Sequence, residues 1–201
     1  MSLHSETAIG ELTTIADELR ETFAERGHRI GTALAQDASF QAGEDPHSTL
    51  ARALAKAGIR TGAAKSGSIG LRTLPGGARE IQLIDGNVDR RYRVRRAKVR
   101  DDGTYLIEVK DDSVLRLEGN TMFREERWVY SFTLNDDDLI ADVFVAEALD
   151  YADGSPGHLI LGDPVYLGAG LPPTRGFTPT SEDLDVYDED EDEDDMESDL
   201  G

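Results

Sequence analysis

Near its N-terminus the chain repeats apolar residues every three to four positions. Ile9, Leu12, Ile15, Ala16, Leu19 and Phe23 fall on one stripe, opposite Glu11, Asp17, Glu18, Arg20 and Glu25. That spacing predicts an amphipathic helix whose apolar side meets a core. Ser5 is placed to cap its start, Glu6 suits its positive end, and Gly27 marks its stop. A weaker helical piece continues through Ile30, Leu34 and Ala35 toward Phe40. GEDPHSTLARALAKAG then offers Asp45 as N-cap, Pro46 as first helical residue and Gly58 as stop, with Leu50 and Leu54 inward and Ala53 and Ala57 beside them. So short a helix survives only by packing.

After GAAKSGSIG the period falls from 3.6 to 2, the strand value. SIGLRTL, REIQLID, RRYRVRRAKVR, TYLIEVK, SVLRLE, TMFREERWVYSFTL, LIADVFVAEALDY and HLILGDPVYLG read as strands. PGG at 75–77, Gly86-Asn87, Asp102-Gly103, Asp111-Asp112, Gly119-Asn120, NDDD at 135–138 and DGSPG at 153–157 read as turns. In LIADVFVAEALDY, Ala and Glu suit a helix, but the β-branched run and its neighbours favour a strand. Trp128, Tyr130, Phe132 and Leu134 share one face, a core stripe rather than a ligand platform.

The expected fold is α+β. N-terminal helices over 1–60 pack on an antiparallel β-meander over 61–168, a strongly bent sheet or small barrel. From 169 the pattern is lost: a Pro/Thr linker leads into DLDVYDEDEDEDDMESDLG, with 12 acids and no base. High charge with few apolar groups predicts a disordered acidic tail over 169–201.

The formal net charge is −20 over 201 residues, and it is unevenly placed. Residues 1–127 hold 20 basic and 20 acidic side chains, whereas 128–201 hold one basic residue, Arg175, and 21 acidic ones. This describes a balanced body with an acidic end rather than an acid-coated surface. There are 17 Arg against 4 Lys, a skew that GC-rich coding or the bidentate guanidinium fork would explain. Cysteine is absent, which excludes disulfides, thiolate metal sites and a cysteine nucleophile, and fits a reducing interior. No run approaches the ~20 apolar residues of a membrane span. MSLHSETAIGELTT lacks the features of a signal peptide, so the expectation is a soluble cytoplasmic protein without a membrane partner.

Candidate chemistry is sparse. His4, His28, His47 and His158 have no second His at metal-ligand spacing. GAAKSGSIG lacks the phosphate-loop spacing, and GSPG lacks the strand-to-helix context of a nucleophile elbow. NDDD lacks the Gly and distal Glu of a calcium loop. Glu125 and Glu126, adjacent in a strand, point to opposite faces. No catalytic residue, metal ligand or cofactor is assigned.

Two segments carry the functional expectation. RRYRVRRAKVR, residues 90–100, has seven positive charges. Tyr92 and Val94 share one parity, Ala97 and Val99 the other, so a bulge at Arg95-Arg96 is expected. Arg91, Arg93, Arg95, Arg96, Lys98 and Arg100 would then form a basic surface for phosphate. Alternatively, the strand is solvated and its arginines pair across to Glu80, Asp85 and Glu108. In the acidic end, Val186, Tyr187, Met196 and Leu200 interrupt the acids, with Asp190, Asp192 and Asp194 between them. Such alternation gives a docking peptide anchors for pockets and charge for steering. The leading expectation is a non-enzymatic adaptor whose acidic arm meets a basic protein. The alternative is a nucleic-acid-associated protein whose tail guards the basic strand. A third is an enzyme or ligand binder using a closed barrel interior.

Overall fold

The computed structural model describes residues 4–37, 40, 45–74, 77–116 and 122–168. Helix α1 runs from Glu6 to Arg26, and Ser5 Oγ accepts the Ala8 N–H at 3.1 Å. Its stripe of Leu12, Ile15, Ala16, Leu19 and Phe23 is fully buried. Gly27 ends the helix, but not as a left-handed cap, since its φ is −56°. A Cβ there would lie 2.4 Å from the carbonyl oxygen of Asp138, so glycine is what lets that turn close on the helix end. Helix α2, His28–Ala35, follows at once.

Helix α3 covers Asp45–Lys65 and runs through Gly58, which the sequence marks as its stop. The glycine serves a close helix approach instead. A Cβ on Gly58 would sit 3.0 Å from Leu19 Cα, and one on Gly62 2.6 Å from Ile15 Cα. Ala51, Ala55 and Ile59 make the buried side; Leu50 and Leu54, expected inward, are half-buried, as is Ala57, and Ala53 is exposed. Small residues let the two backbones nest, and Lys65 bonds Glu18 across the pair.

The strands are β1 (Ile69–Thr73), β2 (Arg79–Asp85), β3 (Val88–Arg96), β4 (Lys98–Val99), β5 (Tyr105–Leu106), β6 (Glu108–Val109), β7 (Arg124–Leu134), β8 (Ile140–Ala152), β9 (Gly157–Leu161) and β10 (Val165–Tyr166). The main sheet has the order β1-β2-β3-β7-β8-β9-β6, with β10 also on β8; β4 and β5 form a separate ribbon. β3 and β7 are parallel, from Val88 beside Arg124 to Arg96 beside Phe132. The protein is therefore α+β with a mixed, open sheet rather than a simple antiparallel meander. The barrel is not closed, which removes the premise of a barrel-interior site.

Parallel neighbours cannot be joined by a tight turn. Residues 97–123 make the crossover between β3 and β7, and the Asp102-Gly103 hairpin signal is spent inside it on β4 and β5. SVLRLE, expected as a strand, instead begins with a 3-10 turn at Asp112–Val114, where Asp111 Oδ1 accepts the Ser113 N–H. LIADVFVAEALDY is strand β8. No bulge occurs at Arg95-Arg96, because the β3–β7 register is regular through Arg96. The apolar parity switches because each face of the sheet has its own core: Val94 packs on the helix side and Ala97 on the other, as regular alternation requires.

The sheet thus separates two cores. On one side Ile81, Leu83, Tyr92, Trp128, Tyr130 and Phe132 meet the helices. On the other, Val129, Phe144 and Ala146 meet Ile107 and Val114 of the crossover. Among the described residues no helix is long and apolar enough to cross a membrane. Residues 75–76 of the PGG turn at 75–77, the Gly119-Asn120 turn and the expected disordered tail over 169–201 lie outside the described residues.

The helix glycines give a paired test by urea denaturation. A Cβ on Gly10 meets nothing within 4 Å, so Gly10→Ala is expected to stabilise by about 0.5–1 kcal/mol. Gly62→Ala is expected to destabilise despite the same gain in helix propensity. A neutral or stabilising Gly62→Ala would contradict the close approach.

Candidate functional site

Strand β3 lies between β2 and β7, and its residues Val88–Tyr92 are buried on both faces. Arg90, Tyr92 and Val94 face the helices; Asp89, Arg91, Arg93 and Arg95 face the other way. A guanidinium in such a place needs carboxylates beside it.

On the helix side Arg90 is 1% exposed. It donates to Asp85 Oδ2 at 2.5 Å and to Glu126 Oε2 at 2.9 Å. Asp85 also accepts the backbone N–H of Ser5 at 3.0 Å, tying the start of α1 to the sheet. Glu126 also accepts from Trp128 Nε1 at 3.2 Å and from Arg124. His4 fills the corner, with Nε2 2.8 Å from the Tyr92 hydroxyl and its ring edge-on to Trp128 at 4.4 Å. Burial, and then Arg90, lower the His4 pKa to about 4. Burial pushes the Tyr92 phenol well up. Burial alone would raise Asp85 and Glu126, but hydrogen bonds outweigh it: Ser5 and then Arg90 for Asp85, Trp128 and Arg124 for Glu126. Both carboxyls are held below their ordinary values.

On the opposite face a carboxylate that is 3% exposed, Glu80, stands among four guanidiniums. Arg72 and Arg91 lie 3.6 Å from its Oε1, and Arg93 and Arg127 lie 3.7 Å from its Oε2. These are ion-pair distances beyond hydrogen-bond length. Arg91 donates to Asp89 through Nε at 3.0 Å and Nη2 at 2.9 Å. Arg127 donates to Glu125 at 3.2 Å. The parallel register sets Asp89 beside Glu125 and Arg91 beside Arg127, a row of acids below a row of arginines.

The six residues of the expected basic surface are therefore divided. Arg91, Arg93 and Arg95 share the face of Glu80; Arg91 is buried, and the other two are partly so. Arg96 lies on the helix side and is exposed, with Nη1 3.3 Å from His47 Nδ1, while His47 Nε2 is 2.6 Å from Asp138 Oδ1. Lys98 and Arg100 are exposed in the ribbon, Lys98 beside Glu108. Glu80, Asp85 and Glu108 do pair with this stretch, but Glu80 and Asp85 do so in a protected interior rather than on a solvated strand. Among the described residues no group of three or more metal-ligating side chains is present. Val186, Tyr187, Asp190, Asp192, Asp194, Met196 and Leu200 lie outside the described residues.

Sequence reasoning missed Asp89 and Arg127, and it placed Glu125 and Glu126 on opposite faces without naming their partners, Arg127 and Arg90. The signal was present as two matching tetrads, Asp89-Arg90-Arg91-Tyr92 and Glu125-Glu126-Arg127-Trp128, which the structure pairs residue for residue. Comparison with protein-family models, curated proteins and solved structures finds no match to this chain.

Two outcomes follow from the buried charges. Glu80→Gln leaves guanidiniums without their carboxylate and is expected to lower unfolding free energy by about 3–5 kcal/mol; a loss below about 1 kcal/mol would contradict the role given to Glu80. His4 concerns pH. The unfolded chain protonates it near 6.5 and the folded chain only near 4. Stability is full above the upper value, falls as pH drops between the two, and loses nothing more from this group below. His4→Gln is expected to flatten that slope in denaturation curves taken between the two values.

Proposed function

We propose that this protein is a non-enzymatic interaction protein, in which the folded body is a scaffold and the acidic C-terminal residues dock a basic protein partner. One observation carries the reading. Among the described residues, the carboxylates that pair with Arg90, Arg91, Arg93 and Lys98 include Glu80, Asp85, Asp89, Glu108 and Glu126. All lie before residue 128, within the stretch whose charges balance. The 21 acids that follow are left as the source of the net charge, against one arginine.

A field of that sign steers cationic partners and raises their encounter rate. Val186, Tyr187, Met196 and Leu200 then supply short-range anchoring that charge alone lacks. The nucleic-acid reading needs guanidiniums that reach phosphates. Arg90 and Arg91, 1% and 4% exposed and held by carboxylates, weaken it.

The test is affinity purification from the native cell with full-length chain and with chain lacking residues 176–201, both after nuclease treatment. The expected result is a basic protein retained only by the full-length chain and released by salt. Equal recovery by both forms would overturn the proposal.

A further inference from the structure

Beyond the charges already matched, one end of the arginine face holds buried donors without a hydrogen-bond partner. On β3 and β7, Arg93, Arg95, Arg127 and Ser131 project to the same side of the sheet, and the register sets Arg95 directly beside Ser131. Ser131 is 0% exposed and its hydroxyl has no hydrogen-bond partner. The Nε atoms of Arg93 and Arg127 are likewise buried without one. The Arg95 side chain donates to its neighbour's carbonyl, Val94 O, at 3.3 Å, and among the described residues no carboxylate lies within ion-pair distance of it. Each buried donor left unmade costs about 1–3 kcal/mol. Three on one face, beside an Arg95 that holds only its neighbour's carbonyl, point to an acceptor that the fold itself does not supply.

We propose that Arg93, Arg95, Arg127 and Ser131 form a binding site for one oxyanion, a phosphate or carboxylate group, at the C-terminal end of β3. Guanidinium forks suit both groups, and a hydroxyl adds a further donor. Arg93 and Arg95 are partly exposed while Ser131 and Arg127 are buried, so the ligand enters past the two β3 arginines. The nearby charges favour it. Burial, with Arg93 and Arg52 close by, pushes Arg95 down to about 10, and Asp111 only partly opposes them. Asp111 is itself exposed and bonded to the Ser113 N–H. Glu80 stays 3.7 Å from Arg93 and Arg127, too far to hydrogen-bond either. An oxyanion would accept from these donors and offset the crowding of like charge. This site is distinct from the acidic docking segment and does not rest on it.

The experiment is calorimetric titration of the full chain with inorganic phosphate and, separately, with acetate, at constant ionic strength. Saturable one-site binding of at least one anion is expected, and the tighter arm identifies the class. Arg95→Gln is expected to weaken binding about tenfold or more, and Ser131→Ala severalfold. Arg100→Gln, an exposed change in the ribbon, should leave affinity unaltered. Without ligand, Arg95→Gln should melt no lower than the native chain, because it removes a crowded cation. That separates loss of the site from loss of the fold, and Ser131→Ala provides the second reading. No saturable binding of either anion, or equal effects of Arg95→Gln and Arg100→Gln, would overturn the site.

Discussion

Strand β3 brings guanidinium groups into a layer that water does not reach, and every buried one must have a carboxylate within a few ångströms. The penalty for a lone buried cation is several kcal/mol, enough to offset much of a domain's net stability. The neighbouring strands are arranged around that requirement. β2 contributes Glu80 and Asp85, β3 its own Asp89, and β7 Glu125 and Glu126. The charges also fix register. A one-residue slip of β7 would turn Trp128 and Tyr130 away from the helices and bring Arg127 to the side of Arg90.

The same network attaches the helical layer. Asp85 takes both Arg90 and the backbone N–H of Ser5, so the cap of α1 and the charge of β3 share one acceptor. At the other end, Gly27 closes on Asp138, which also holds His47 at the start of α3. The apolar core between these two polar corners then packs α1 and α3 on the sheet. The innermost arginines of the basic strand, Arg90 and Arg91, are thereby matched inside the fold.

Helix α1, its Ser5 cap and strand β8 were legible in the sequence, because periodicity and capping are local signals. Gly58 was not, because its role depends on α1 lying against it. The parallel β3–β7 pair was hidden for a similar reason: Asp102-Gly103 does make a hairpin, but within the crossover, and turn signals do not say which distant strand is the neighbour. Glu80 and Asp85 were found as partners since they lie on the adjoining strand. Asp89 with Arg91 and Glu125 with Arg127 are pairs two residues apart on one strand that alternation alone could have given, whereas the pairing of Arg90 with Glu126 and the approach of Arg127 to Glu80 required the topology. The burial of Arg90 and Arg91 ran against ordinary expectation for charged side chains. For the acidic end the proposal rests on sequence alone.

The internal character of the basic strand can be measured by modifying the native full-length protein with phenylglyoxal and mapping arginine adducts by mass spectrometry. Arg100 and Arg116, both exposed, should react readily, whereas Arg90 and Arg91 should react only on unfolding. Modification of Arg90 and Arg91 as fast as Arg100 in the folded protein would contradict the buried, carboxylate-matched strand.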